Sequence, residues 1–452
     1  MPRLLITNIG WLVTMNSDRE ILRDAWILIT DGFITSLGTG SSPEITETTE
    51  ITETIDAHGG IVVPGFVNTH HHMFQNLARA YTPISNLPLL PWLKGHLPLW
   101  QTLTTGELGL ATEMAFAELM LSGCTTTSDH HYVFPDGLDQ AVQFETAKRV
   151  GLRFTGCRGC MDRPSEIVPP WLCQSIDQIL ADSERLTATY HGTTPGALTQ
   201  VSYAPCTVFS CSGDLMRETA RLGRKNNIRL HTHSGETVEE DAQALELFGR
   251  RPFELLEDYE WKNDLVWLAH GIHFNDREVL EITGAKMGVA HCPTSNMRLG
   301  SGCCRVQDLR AGGSAVSLGV DGSASNDSGH MLNEARNALL LNRVTRGADA
   351  LTVETALEMA TIEGARNLGR EKEIGSLETG KCGDLALFPA EDLWSNGAEN
   401  PLHALLLCFS RNVDTLIVQG RVTVREGRLT TIDLPTLREK HAEAARRLHA
   451  TI

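Results

Sequence analysis

Val63-Pro64-Gly65-Phe66-Val67-Asn68-Thr69-His70-His71-His72 is the stretch whose reading decides the fold. An apolar run beginning at Ile61 climbs to three imidazoles and stops there. Ile61, Val62, Val63, Phe66 and Val67 read as a strand buried on both faces, the pattern of a parallel sheet covered by helices. Side chains two apart on a strand share a face, so His70 and His72 project together and His71 projects away. Two imidazoles converging at the end of a buried strand suit one divalent metal.

Working outward, seven further short apolar runs follow the first, Ile61–Thr69. They are Thr125–His130, Arg153–Arg158, Val201–Pro205, Arg229–His233, Val266–His270, Met287–Cys292 and Val316–Asp321. Helical stretches such as Glu107–Ser122 and Asp214–Asn226 separate them. Strand–helix alternation of this kind predicts an α/β fold, a (β/α)8 TIM-type barrel. The runner-up, an open doubly wound sheet, usually carries a glycine-rich nucleotide turn after its first strand, where this chain has Asn68-Thr69-His70.

The flanks read differently. Trp26–Thr30 and Phe33–Leu37 bracket Asp31-Gly32, a strong hairpin signal. Gly40–Glu53 is rich in Ser, Thr and Glu and reads as an exposed connection. Asp384–Phe388 and the hairpin Thr415–Val424 form a late β-rich block. Neither terminal block is long enough for a core of its own, so 1–60 and 370–433 are expected to pair into one small β-sandwich domain. The barrel then spans 61–369, and 434–452 reads as a charged amphipathic helix.

The chain has 452 residues and a formal net charge of −17. That charge speaks against nucleic acid and anionic membranes as partners and favours a neutral or cationic small molecule. No eighteen-residue apolar run is present, so no membrane span is expected. The first residues lack the apolar core of a signal peptide, and the eleven cysteines form no disulfide framework. Both point to the cytoplasm, with Cys124, Cys157, Cys292 and Cys408 as reduced core thiols.

In such barrels the chemistry sits at the C-terminal strand ends. The fifth run ends His231-Thr232-His233-Ser234-Gly235-Glu236. His233, nearer the end, is chosen as a ligand, and His231 as a deeper, hydrogen-bonded histidine. Glu236 lies where the chain turns away and a carboxylate faces a bound water. His270 closes the apolar sixth run, and Asp321 ends the eighth between residues of a glycine-flanked turn. His291 is a weaker candidate, and His273 reads as structural. His70, His72, His233 and Asp321 thus gather around one metal, with Zn²⁺ expected first and Fe²⁺ or Mn²⁺ possible. Gln75, Tyr132 and Arg158, at the ends of the first three strands, are expected to touch substrate through an amide, a phenol and a guanidinium.

At this point the chain resembles the amidohydrolase superfamily in its mononuclear deaminase branch. The resemblance rests on PGFVNTHHH, HTHSGE, LAHG, HCPTSN and GVDGSASND and spans nearly the whole sequence. It implies the same metal ligands, Glu236 as proton shuttle and His270 as stabiliser of the developing oxyanion, with Asp321 orienting the water. Binuclear members carry a lysine on the fourth strand; Val201–Pro205 has none, which implies one metal. Within the branch the motifs NTHHHMFQ, SGCTTTSDHHYVFPDG and HCPTSNMRLGSG are similar to those of 8-oxoguanine deaminases. Triazine hydrolases share much of the same framework. Guanine deaminases carry an arginine just after the fourth strand, where this chain has Cys206, which speaks against plain guanine. The implied function is hydrolytic deamination of an aminated purine-like heterocycle, 8-oxoguanine to uric acid, by an enzyme expected to be a homo-oligomer. The alternatives are a triazine amino- or chlorohydrolase, a pterin (isoxanthopterin) deaminase and, remotely, a non-catalytic scaffold. A scaffold would be expected to have lost ligands, and here every one is present.

Overall fold

The computed structural model describes residues 3–42, 51–408 and 412–450. Most of the expected connection Gly40–Glu53 lies outside the described residues. Eight parallel strands close into a barrel: Phe66–Asn68, Cys124–His131, Arg153–Cys160, Thr199–Pro205, Leu230–Ser234, Val266–His270, Gly288–His291 and Val316–Leu318. Leu318 pairs with Asn68 to close the ring. The outer helices follow from their apolar periodicity. In Gly213–Asn226 the buried positions are Leu215, Met216, Thr219, Ala220 and Gly223, one stripe of a 3.6-residue repeat. Ser212 caps its N-terminus by accepting from Leu215 N–H, and Asn227, with φ 53°, ends it in the left-handed region.

The terminal segments build one continuous nine-stranded sheet. Asp31 and Gly32, at φ 52° and 84°, make the expected tight turn between Ile21–Thr30 and Phe33–Thr39. Leu4, Ile6, Ile27, Ile29, Val62, Leu385 and Ile417 fill its core. The helix Leu434–His449 returns to the barrel, where His441 Nε2–H donates to Asn76 Oδ1 at 2.7 Å and Arg447 pairs with Glu107.

Two strand readings need correction. The run Ile61–Thr69 is not one barrel strand. Ile61–Pro64 belongs to the terminal sheet, antiparallel to Leu385–Phe388, and only Phe66–Asn68 enters the barrel. Pro64 has no N–H to continue a ladder. Gly65 allows the close crossing, because a Cβ there would lie 2.1 Å from the Thr125 side chain. The eighth strand likewise stops at Leu318, and Asp321–Gly322 forms a separate short ladder with His71–His72. A smaller correction concerns Cys408, which is exposed rather than in the core.

Sheet and barrel are clamped by a buried ion pair. Arg153 Nε donates to Asp384 Oδ2 at 3.0 Å and Nη2 to Oδ1 at 3.2 Å, with both side chains at most 2% exposed. Removing one partner strands the other charge, a loss of about 3–5 kcal/mol. Asp384→Ala is therefore expected to unfold at clearly lower denaturant than the parent. A change below about 1 kcal/mol, the level of a surface pair, would show that the clamp is not structural.

Candidate metal centre and substrate cavity

The strand ends place His70, His72, His233, His130, His270 and Asp321 in one cluster. Among the described residues two groups can hold a metal, His70, His72, His130 and His233 in one and His70, His270 and Asp321 in the other, with ligand atoms within 4.8 Å of one another. His70 Nε2 and His72 Nε2 stand 3.3 and 3.5 Å from Asp321 Oδ1.

The outer hydrogen bonds decide which ring nitrogen is bare. His72 Nδ1 lies 2.7 Å from the carbonyl of His130, and His233 Nδ1 2.8 Å from that of Cys206. A carbonyl only accepts, so both Nδ1 atoms carry the proton. Burial lowers the pKa of both rings, to about 3 for His233, so each Nε2 is a free lone pair. These two nitrogens face each other at 3.2 Å. Two lone pairs in that position are satisfied by a shared cation, not by a hydrogen bond. His70 is set by a relay. His231 Nδ1–H donates to Trp267 O at 2.8 Å, which leaves His231 Nε2 to accept from His70 Nδ1–H at 2.8 Å. The His70 Nε2 lone pair is thereby aimed into the cluster, buried and without a hydrogen-bond partner. Three imidazole nitrogens and one carboxylate oxygen make a donor set that fits a divalent metal, zinc above all.

Backbone strain marks the same place. His270 and Asp321 have φ 75° and 60°, left-handed values that residues with a Cβ rarely adopt. Gly319 lets the chain pass so close that a Cβ there would lie 2.7 Å from that of His70.

A cavity of about 340 Å³ opens over the cluster, lined by His72, His233, His270 and Asp321 and by Glu236, Gln75 and Tyr132. Glu236 Oε2 is 3.4 Å from His270 Nε2, whose ring donates through Nδ1–H to Asn296 Oδ1 at 3.0 Å. Burial, with the negative Asp321 beside it, pushes the Glu236 carboxyl well above the usual range. Gln75 Nε2 donates to the Tyr132 hydroxyl at 3.4 Å, and Gln75 Oε1 is buried without a partner.

Arg158 is the expectation that the structure overturns. It does not line the cavity. Its guanidinium donates to Asp182 Oδ2 and to Gln174 Oε1, each at 2.7 Å, and to Gly159 O, and it lies 3.8 Å above the Phe134 ring. Arginine next to the end of a strand can point outward as easily as inward, and here Asp182 on the neighbouring helix claims it. His291 is buried but outside both metal groups and the cavity lining, and His273 Nε2–H donates to Ser301 O at 2.9 Å.

Three residues escaped the sequence reading. His130 Nε2–H donates to Ala204 O at 2.8 Å while its ring stacks on His233 at 4.8 Å. The signal was the Asp129-His130-His131 run at the second strand's end. Asn296 orients His270 from within the HCPTSN motif. Glu240 accepts from Gly235 N–H at 3.1 Å and Glu236 N–H at 3.3 Å, holding the turn that presents Glu236; burial pushes its own carboxyl up to about 8.

A barrel that gathers such ligands at its strand ends beside an elevated glutamate is a metal-dependent hydrolase. The chain belongs to the amidohydrolase family, whose model matches residues 61–423. It is 45% identical to an 8-oxoguanine deaminase of Pseudomonas aeruginosa, covering 94% of this chain and 95% of the relative. An isoxanthopterin deaminase from an unknown prokaryotic organism is 33% identical over 85% of this chain and 84% of the relative. Among solved structures, the atrazine chlorohydrolase of Arthrobacter aurescens complexed with zinc superposes with a TM-score of 0.92 at 26% identity, covering 98% of this chain and all of that one, 100%.

Proposed function

We propose that the chain hydrolytically deaminates an aminated, oxidised purine, 8-oxoguanine before others, to uric acid and ammonia. The observation that carries the chemistry is the elevated Glu236 carboxyl, 3.4 Å from His270 and lining one cavity with the ligand cluster. The substrate choice is supported by the similarity to the Pseudomonas aeruginosa enzyme over nearly the whole chain.

His70, His72, His233 and Asp321 would hold one divalent metal. When bound, it supplies a water that ionises near neutral pH. Glu236 takes the proton of the attacking water and delivers it to the ring nitrogen next to the amine-bearing carbon. Its raised pKa suits this work, since the group must hold a proton and release it within one turnover. His270, fixed by Asn296, lies where the new carbon–oxygen bond gathers charge and stabilises it. The carbon–nitrogen bond then breaks, and the departing amine leaves as ammonia with the second proton of the water. Gln75, presenting both a donor and an acceptor, pairs with the heterocycle's edge beside Tyr132.

The same reading makes this a cytoplasmic enzyme and a homo-oligomer. All eleven cysteines are free thiols, and Val238, Leu245 and Leu247 on one helix are 60, 51 and 51% exposed. Among the described residues no helix is long and apolar enough to cross a membrane. The test is kcat/KM, read as ammonia release, for 8-oxoguanine beside guanine, isoxanthopterin and a hydroxytriazine. 8-Oxoguanine is expected to lead. A lead of more than about tenfold by guanine or a triazine would overturn the substrate and leave the deamination standing.

A further inference from the structure

We propose that Arg163 is the specificity-determining residue of this cavity, donating from its guanidinium to the oxygen on the ring edge farthest from the departing amine. In 8-oxoguanine that is the oxygen of the five-membered ring. The inference rests on the deaminase reading above and adds to it the group that tells an oxidised purine from its parent.

Arg163 is the one arginine or lysine among the described residues that line the cavity. Its root is fixed. Arg163 N–H and Asp162 N–H both donate to Ser210 O, at 3.1 and 3.2 Å, tying the segment after the third strand to the loop after the fourth. Its head lies 4.9 Å from the centre of the Phe248 ring, a cation–π contact that uses none of its hydrogen-bond donors.

The acids that would neutralise it are committed elsewhere. Asp162 accepts from Ser212 N–H at 2.7 Å and from Ser212 Oγ–H at 2.5 Å. Glu166 pairs with Lys94 at 3.0 Å, and Asp241 with Arg251 at 2.6 Å. Glu240, on the same cavity wall, accepts from the Gly235 and Glu236 amides. No ion pair or hydrogen bond joins the Arg163 guanidinium to another described residue. This is the reverse of Arg158, whose donors are spent on Asp182, Gln174 and Gly159.

A guanidinium offers five N–H donors and no acceptor, so its complement is an electron-rich oxygen. On a chain of net charge −17, this local positive centre is what lets the cavity welcome such an edge. A hydrogen bond to a charged donor discriminates against a substrate that lacks the acceptor by about 10- to 100-fold.

The experiment compares wild type, Arg163→Met and Arg163→Lys, each first checked for equal metal content. Arg163→Met is expected to raise KM for 8-oxoguanine by about 10- to 100-fold with a much smaller change in kcat, to lower kcat/KM for guanine by a smaller factor than for 8-oxoguanine, and to be partly rescued in Arg163→Lys. Calorimetric binding of uric acid, with xanthine as the control lacking the distal oxygen, tests the same contact without turnover. If Arg163→Met keeps the parent's preference for 8-oxoguanine over guanine and for uric acid over xanthine, the inference is wrong. If the wild type deaminates nothing but binds uric acid through Arg163, the deaminase reading falls and this one stands. If it neither binds uric acid nor turns over 8-oxoguanine, both fall.

Discussion

Glu236→Gln is expected to fold, to keep its metal and to lose turnover by about 10²–10⁴. The substitution preserves size and leaves the four proposed ligands untouched. An amide cannot cycle a proton between water and a ring nitrogen, the task proposed for this carboxyl, whose pKa burial and Asp321 raise. KM should move little, because the ring edge is held by other groups. The measurement is kcat from ammonia release at saturating 8-oxoguanine, beside metal content by elemental analysis. A kcat within a few-fold of the parent would remove Glu236 from the proton path.

The metal itself provides the second large effect. His233→Asn is expected to lose stoichiometric metal, since it deletes one of three converging imidazoles. His231→Phe is expected to bind metal about 10- to 100-fold more weakly, although His231 is not among the proposed ligands. The aromatic exchange retains the stack on Trp267, whose ring centre lies 4.3 Å away, and deletes the acceptor at His70 Nδ1. His70 then has no partner to fix which of its nitrogens is bare. Competition with a chelator measures both affinities. Metal loss in His231→Phe with retention in His233→Asn would exchange the two assignments.

Much of the site was legible because barrel chemistry is written at strand ends. Alternation and order alone brought His70, His72, His233 and Asp321 into one set; His70 and His72 stand beside Asp321, while His233 groups with His70, His72 and His130. What failed did so for local reasons. Ile61–Thr69 reads as one strand, since hydrophobicity carries no mark of the sheet in which a residue will pair; only Pro64-Gly65 betrays the crossing. Arg158 was assigned inward because its partner, Asp182, lies 24 positions away, and a separation of that size gives no signal without the helix between them. Cys157-Arg158-Gly159-Cys160 has the CxxC spacing of some metal sites. Within a strand, residues three apart point to opposite faces, so this pair cannot close on one ion. Arg163 carried no sequence signal at all. Its interest lies in what its neighbours do not do, and that is visible only once every nearby carboxylate has been given its partner.

The left-handed backbone at His270 and Asp321 sets stability against activity. A residue with a Cβ is held there at a penalty of about 1–2 kcal/mol, which glycine would escape. Selection for heat resistance alone would therefore drift toward glycine at these two positions, and every such gain would erase a group that the proposed reaction uses. The proposed catalytic centre thus keeps the fold somewhat below its best attainable stability. Reinforcement that spares function has to come from elsewhere in the chain, from the barrel's outer helices or the terminal sheet.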